Sequence, residues 1–465
     1  MGSSEKDLSG EMQIKPGINS NLGRMGEEIK NSVSVRLIII GVLCLVLLIP
    51  AMMVKSLIKE REGYRRGALE EISSKWGGAQ VITGPVLTVP FKKYYKDDKG
   101  NTRWSTRYAH FLPDNLEIQG SVDTQTRSRG IYEVPLYSST VNIKGLFSKP
   151  DFRALRVNEN NALWEDAFLA IGITDMKGIR TPITIKWNDK DLPVNPGVAI
   201  NDVLKSGISS SLEMTPGAEV YDFTLELNVN GSSELEFVPV GKETNLKMQS
   251  NWSDPSFIGE FLPKERQVNE DGFEAEWKVL HFNRNYPQQW IGDKHSIQGS
   301  SFGTNFLLPV DHYQKSMRTA KYAAMFIALT FLAFFIIEIL NNKTIHPVQY
   351  TMIGMALIIF YTLLLSISEH ISFNVAYLVA SAAIISMITA YTRGFLANNK
   401  LAMVIAVKLS VLYSFLFVVL QLQDYALLFG SAGLFVALAV AMYLTRNIDW
   451  YNAFTPRERK QVTQE

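Results

Sequence analysis

"LIIIGVLCLVLLIPAMMV", residues 37–54, is the stretch whose reading decides the fold. It holds eighteen residues and no charge. At ~1.5 Å per residue, a helix of that length crosses ~30 Å of hydrocarbon with little tilt. Pro50 falls in the last turn, where a kink costs little. A polar leader of 36 residues precedes the run and no A-x-A cleavage pattern follows it, so it reads as an uncleaved anchor rather than a signal peptide.

Working outward, the 465 residues carry a net charge of only +1, so no global field favours nucleic acid or another charged partner. The average hides a split. Residues 1–36 and 55–321 are mixed and polar-rich, whereas 322–445 are mostly apolar. Five further apolar runs follow the polar middle, at about 322–340, 348–366, 371–391, 401–420 and 425–445. The connectors "NNKTIHP", "ISEH", "TRGFLANNK" and "QLQD" are short. Lipid offers no partner to free backbone groups, so these runs read as helical hairpins. The expected fold is an α-helical membrane bundle of six spans, one N-terminal and five C-terminal, with a large β-rich extracytoplasmic domain between them. The boundaries read as a disordered cytoplasmic leader (1–36), a first span (37–54), an outer domain (55–321), a five-helix bundle (322–445) and a tail (446–465).

Orientation follows from basic residues in short loops. Lys343, Arg393, Lys400, Arg446, Arg457, Arg459 and Lys460 fall on one side, and the alternate loops around Glu369, His370 and Asp424 hold no Lys or Arg. The basic side reads as cytoplasmic, which places both termini in the cytoplasm and the outer domain outside it. The sole cysteine, Cys44, lies in the first span, so no intrachain disulfide holds that domain together.

In the outer domain, 55–76 reads as a helical stalk with the stripe Tyr64, Ala68, Ile72 and Trp76 at every fourth position. After Gly77 and Gly78 the texture becomes alternating, as in "TPITIKW" and "YDFTLELNVNGSSELEFVPVG". Phe223, Leu225, Leu227 and Val229 point one way, and "NGSS" then reads as the turn of a hairpin toward Leu235 and Phe237. The expectation is a mainly antiparallel domain, a sandwich of one or two lobes, with short helices such as 161–172, "NALWEDAFLAIG".

The chemistry-bearing candidates are few. "GSSFG" at 299–303 fits G-x-S-x-G with Ser301 as nucleophile, but a strand-like run ended by proline follows where a nucleophile elbow needs a helix. No two of the six histidines share a metal-helix spacing, and no phosphate-binding or dinucleotide fingerprint is present, so no cofactor or metal is expected. "QSNWSDPSFIGEFLPKERQV", 249–268, crowds aromatics, prolines and charges between two strand-like runs. It reads first as a rigid packed corner built on Trp252, Asp254, Pro255, Phe257, Phe261, Pro263 and Arg266, with Ile258 and Leu262 also buried; a binding surface built on that corner is the alternative, and catalysis ranks last. In the membrane, Glu338 and Lys408 stand out: they read as an intramembrane pair, structural or guiding an ion or proton, or else Lys408 reaches the cytoplasmic interface by itself.

Several long segments together resemble the CreD family of inner-membrane proteins, associated with cell-envelope integrity. They are 77–91 "GGAQVITGPVLTVPF", 129–147 "RGIYEVPLYSSTVNIKGLF", 249–263 "QSNWSDPSFIGEFLP", 272–290 "GFEAEWKVLHFNRNYPQQW", 302–338, and 446–451 "RNIDWY". The resemblance implies a bacterial inner-membrane location, an expression link to the Cre two-component stress response, and altered tolerance to colicins and cell-wall antibiotics. It supplies no catalytic residue. The expected function is therefore a non-enzymatic scaffold that contacts the lipid bilayer and binds envelope proteins, peptidoglycan or lipid, and no nucleic acid. A transporter or channel-like component working through the C-terminal helices is the alternative. A cell-wall enzyme using Ser301, Asp254 or Glu260 ranks third.

Overall fold

The computed structural model describes residues 33–212, 214, 218–306, 312–341, 343–422 and 425–447. Asp424, Arg457, Arg459, Lys460 and the leader before residue 33 lie outside them. The chain divides into two compact units, one of Met1–Glu62 with Asp311–Glu465 and the other of Gly63–Val310.

Seven α-helices are described: α1 (Val33–Trp76), α2 (His312–Lys321), α3 (Ala323–Leu340), α4 (Pro347–Ser368), α5 (Phe373–Leu396), α6 (Asn399–Gln421) and α7 (Ala426–Thr445). All but α2 are long and apolar enough to cross a membrane, one before the β-rich domain and five after it. Local chemistry sets the breaks between them. Pro347 opens α4, and the His346 ring accepts a hydrogen bond from the Val348 N–H. Asn398 caps α6 by accepting from the Lys400 and Leu401 N–H groups at 2.9 and 3.3 Å. Within the bundle, Phe326, Phe360 and Tyr377 gather around Tyr413 at 4.7, 4.8 and 6.5 Å between ring centroids. The Tyr377 hydroxyl donates to the Tyr413 carbonyl at 2.8 Å. Gly354 on α4 leaves room for Leu47 of α1, the close approach that small residues permit between membrane helices.

The short helix α2 is not among the elements read from the sequence, although its buried residues recur at helical spacing. Tyr313, Ser316, Thr319 and Ala320 form its buried face. The Tyr313 hydroxyl donates to Glu369 at 3.0 Å.

Among the described residues the second unit holds seventeen strands in two sheets. In chain order they are β1 (Gln80–Lys96), β2 (Thr102–Phe111), β3 (Asn115–Arg129), β4 (Tyr132–Ser148), β5 (Ala167–Ile173), β6 (Ile185–Trp187), β7 (Lys190–Leu192), β8 (Asn195–Pro196), β9 (Gly207–Leu212), β10 (Val220–Ser232), β11 (Glu234–Val238), β12 (Glu243–Ser250), β13 (Pro255–Gly259), β14 (Glu265–Asn269), β15 (Gly272–Leu280), β16 (Gln289–Ile291) and β17 (Phe302–Phe306). One sheet runs β13-β17-β11-β1-β5-β9-β8, with β2 and β16 added beside β1. The other runs β14-β15-β12-β3-β4-β10-β6-β7. Pairing is antiparallel except for β1 with β11 and β3 with β12. Inward residues of both sheets, among them Leu87 and Leu235 from the first and Ile118, Val141 and Leu227 from the second, join one apolar cluster. The domain is thus a sandwich around one main core, with a smaller apolar cluster of Phe168, Ala170 and Leu204 apart from it. The C-terminal part of α1 packs on it: Trp76 Nε1 donates to the Tyr137 carbonyl at 3.1 Å, and Glu71 pairs with Arg129 at 2.6 Å. Of the predicted stripe, Ala68 is buried and Ile72 and Trp76 are half-buried, while Tyr64 is exposed.

Two local expectations are corrected. Residues 161–172 are not a helix: two 3₁₀ turns lead into β5, whose seven residues are all buried. A strand held between β1 and β9 and covered on both faces reads as a continuous apolar run, which periodicity does not distinguish from a buried helix. The hairpin expected at "NGSS" is a crossing instead. β10 keeps the predicted alternation, but it belongs to one sheet and β11 to the other. Ser233, at φ 64°, turns the chain from one sheet to its partner.

Just before that crossing, Gly231 lies opposite Tyr137, and the Tyr137 ring occupies the space of a β-carbon. Gly231→Ala is expected to cost ~1–3 kcal/mol by overpacking. Gly299→Ala, in open space, should be near neutral. Thermal unfolding of the purified full chain checks both.

Candidate functional site

The 249–268 corner joins the two sheets. The chain leaves β12 in one sheet, adds β13 to the edge of the other, and returns as β14 to the edge of the first. Its aromatic residues point in. Phe257 packs edge-on against Phe273 and Trp277, each at 5.7 Å, and Phe261 against Phe302 at 5.7 Å. Trp277 Nε1 donates to the Phe261 carbonyl at 3.1 Å. Trp252 is half-buried, 6.4 Å from Phe306, and its Nε1 donates to the Asp254 carbonyl at 3.0 Å. Pro255 opens edge strand β13, where its missing N–H is tolerated, and Pro263 is half-buried in the connection to β14.

The polar side chains of the corner point out. Asp254, Glu260 and Arg266 are exposed, and among the described residues neither carboxylate makes a side-chain hydrogen bond. Arg266 lies 5.8 Å from the Phe257 ring. Leu262, expected under Trp252, is 74% exposed, a correction that follows from the chain turning outward after Phe261. Two exposed carboxylates without a shared partner offer no acid–base pair.

Neighbouring motif residues are engaged in holding the fold. Arg284, in "HFNRNYPQQW", is buried and donates to the carbonyls of Tyr286 at 2.6 Å and Val240 at 3.2 Å, and also to the Gln288 side chain. The Tyr286 ring lies 4.2 Å from the guanidinium, and the Tyr286 hydroxyl donates to the Pro239 carbonyl at 3.1 Å. Ser301 follows a 3₁₀ turn, precedes β17, and donates its hydroxyl to Glu236 at 2.7 Å. That setting lacks the strand–serine–helix geometry of an elbow. Among the described residues no group of three or more His, Cys, Asp or Glu is placed to hold a metal ion.

One polar constellation escaped the sequence reading. His110 is buried on β2, its Nδ1 3.0 Å from the Thr88 hydroxyl and its Nε2 3.6 Å from Asp202. Its ring lies 5.5 Å from Trp290, which in turn meets His295 at 5.8 Å. The separation of 88, 110, 202 and 290 in the chain leaves no local signature. Thr88 and His110 are buried, and Asp202 is the partly exposed member of the cluster.

In the helical unit, Glu338 is 1% exposed. One carboxylate oxygen pairs with Arg36 Nη1 and accepts from the Ile345 N–H at 3.2 Å; the other accepts from the Tyr350 hydroxyl at 3.0 Å. Three donors on one buried carboxylate meet the requirement that an intramembrane charge be compensated. The expected Glu338–Lys408 pair is corrected accordingly. Lys408 is half-buried beside Thr330 and Ile337, and among the described residues it makes no ion pair. Ile337 takes the position facing Lys408, and the next residue on a helix lies ~100° around the axis. A cavity of about 610 Å³ borders Arg36, Glu338, His346 and Tyr350. The sequence does not mark Arg36 as the partner because it lies outside the first apolar run, a residue before its start, where it reads only as a flanking basic residue.

Two outcomes follow. Arg36→Ala leaves Glu338 buried without its cation and is expected to cost ~3–5 kcal/mol, whereas Lys408→Ala should cost less than ~1 kcal/mol; thermal unfolding of the detergent-solubilised chain separates them. Burial lowers the His110 pKa to about 4, outweighing Asp202, which acts in the opposite direction. The unfolded value is ~6.5, so the neutral ring's contribution is full above that pH and is lost as pH falls toward 4. That loss should reach up to ~3 kcal/mol and vanish from the pH slope in His110→Gln, read as unfolding midpoints across that range.

Against this geometry stand the known proteins. The family described as "Inner membrane protein CreD" matches residues 32–451. A relative titled "Inner membrane protein CreD", from Escherichia coli (strain K12), is 33% identical over 432 residues, covering 90% of this chain and 94% of that protein.

Proposed function

The chain belongs to the CreD family of inner membrane proteins, and on that premise we propose that it is a non-enzymatic envelope-integrity protein. The helical unit anchors it, and the β domain is a periplasmic platform that binds other envelope components. The basic loops around Lys343, Arg393, Lys400 and Arg446 favour cytoplasmic termini and a periplasmic β domain. The same reading includes a role in envelope stress under Cre control, with tolerance to colicins and cell-wall antibiotics as its outward sign.

The observation that carries the platform is the edge strand β14. It ends its sheet, all five of its residues are exposed, and among the described residues no strand pairs with its outer side. The buried aromatics of the corner hold it rigidly, while Arg266, Val268 and Leu262 face solvent. An extended segment of a partner can add to such an edge through main-chain hydrogen bonds and take specificity from alternate side chains. The hydrogen-bonded Ser301 and the separated, exposed Asp254 and Glu260 support a binding role over hydrolysis.

A second reading, transport through the helices, draws on the buried Arg36–Glu338 pair and the cavity beside it. On the platform reading that pair is structural.

A photoreactive amino acid placed at Arg266 or Val268 of the full chain in living cells tests the platform. The expected result is a discrete adduct that is absent from the same probe at Lys190, on the opposite edge of the sheet. Arg266→Glu should reduce that adduct and the antibiotic and colicin tolerance together, while Ser301→Ala and Asp254→Asn leave tolerance unchanged. Equal labelling of both edges, or tolerance lost in Ser301→Ala with normal protein levels, would contradict the proposal.

A further inference from the structure

The β1–β2 hairpin is longer than the sheet that holds it. Its inner part is core: Leu87, Val89, Phe91, Ala109 and Phe111 are all buried. β5 pairs with β1 only from Ile82 to Thr88, and β16 with β2 only from Ala109 to Phe111. Beyond the Phe91–Arg107 pair, the register continues from Lys92 opposite Thr106 to Lys96 opposite Thr102. Among the described residues no third strand accompanies this ribbon. The tip is nevertheless well built. Asp97 accepts hydrogen bonds from the Lys99 and Asn101 N–H groups at 3.0 and 2.8 Å and from Arg103 Nε at 2.9 Å.

What this ribbon displays is unusual for solvent. Lys92, Lys93, Lys96, Lys99, Arg103 and Arg107 face only Asp97 and Asp98 in the same stretch, a net charge of +4. Tyr94, Tyr95 and Trp104 are 52%, 49% and 51% exposed. Tyr94 lies opposite Trp104 on one face, with Lys92 Nζ 5.1 Å from the Trp104 ring. Tyr95 lies opposite Arg103 on the other face.

We propose that residues 92–107 form a docking ribbon for an anionic phospholipid surface. Tyrosine and tryptophan rings favour the headgroup level of a bilayer, where an apolar body and a polar tip are both satisfied. Lysines near an anionic surface each add to the attraction. The placement of aromatics on both faces selects a fluid interface over a folded partner. A rigid protein surface covers one face of a projecting ribbon, whereas lipid headgroups close around both. The chain's own membrane anchoring raises the local concentration of such a surface. This inference is independent of the β14 platform, since it uses a different element.

The test uses the full chain with Cys44→Ser and Thr102→Cys, nitroxide-labelled at position 102 and held in nanodiscs. The discs contain either phosphatidylcholine alone or one-third phosphatidylglycerol, and vesicles of either composition are then added. Protection of the label from a water-soluble nickel chelate, with access for oxygen, is expected only with phosphatidylglycerol. Protection within the disc identifies the chain's own membrane as the source, and protection only on adding vesicles identifies a facing one. Lys92→Glu with Lys96→Glu should lower this partitioning by at least roughly thirty-fold, from about five-fold per lysine lost. Tyr94→Ala with Trp104→Ala should also release the label, with the unfolding temperature unchanged in both variants. A label open to the chelate in every arm overturns the proposal. So does equal protection by both lipids that survives the charge reversals, or protection by a soluble polyanion such as polyphosphate and by no vesicle.

Discussion

A carboxylate inside hydrocarbon must be matched, and the match between Glu338 and Arg36 is the constraint from which the rest of the architecture proceeds. Arg36 lies on α1, and α1 is the one helix that contributes residues to both compact units. Its first part joins the bundle through this ion pair and through Leu47 against Gly354. Its last part joins the β domain through Trp76 and Glu71. A single helix of 44 residues therefore serves as span and stalk without a break. Tyr350 and the Ile345 N–H complete the shell around the carboxylate. Removing either charge leaves the other stranded, which is far costlier than never having had the pair.

The β domain meets a different constraint. With one cysteine in the chain, and that one in α1, no disulfide holds the sandwich. Its apolar packing and its edges must therefore do so. The 249–268 corner ties the two sheets together at one edge, and Arg284 fastens the adjoining loop by donating to backbone carbonyls. Residues that look chemical in sequence are largely engaged in such closures. Trp252, Phe257, Phe261 and Trp277 fill the corner, and Ser301 serves Glu236. On the proposed platform reading, recognition falls to backbone and surface: the outer side of β14 and the basic, aromatic ribbon at the tip of β1–β2.

The membrane spans were legible because eighteen or more apolar residues in a row have few alternative meanings. The alternation in β10 was legible because one of its faces is solvated. Legibility ended where tertiary partners decide. β5 was mistaken for helix because burial on both faces erases its period. The crossing at Ser233 was mistaken for a hairpin because a turn signal does not say to which sheet the chain goes next. Lys408 was assigned to Glu338 because both are charges in apolar runs. The true partner, Arg36, is brought in by a helix some 300 positions earlier (the separation is 302). The His110–Asp202 contact was invisible for the same reason, and the corner's family resemblance carried no information on which of its side chains face outward.

Charge exchange across the intramembrane pair is the most direct test of the account, in which the bundle anchors and its buried charges are structural. Arg36→Glu and Glu338→Arg, made singly, should each prevent accumulation of the full chain in the membrane. The two together should restore both its abundance and the tolerance to envelope stress. Restored abundance without restored tolerance would contradict the account and assign the pair a working role in the membrane, and a double variant no better than the singles would show that Arg36 and Glu338 are not partners.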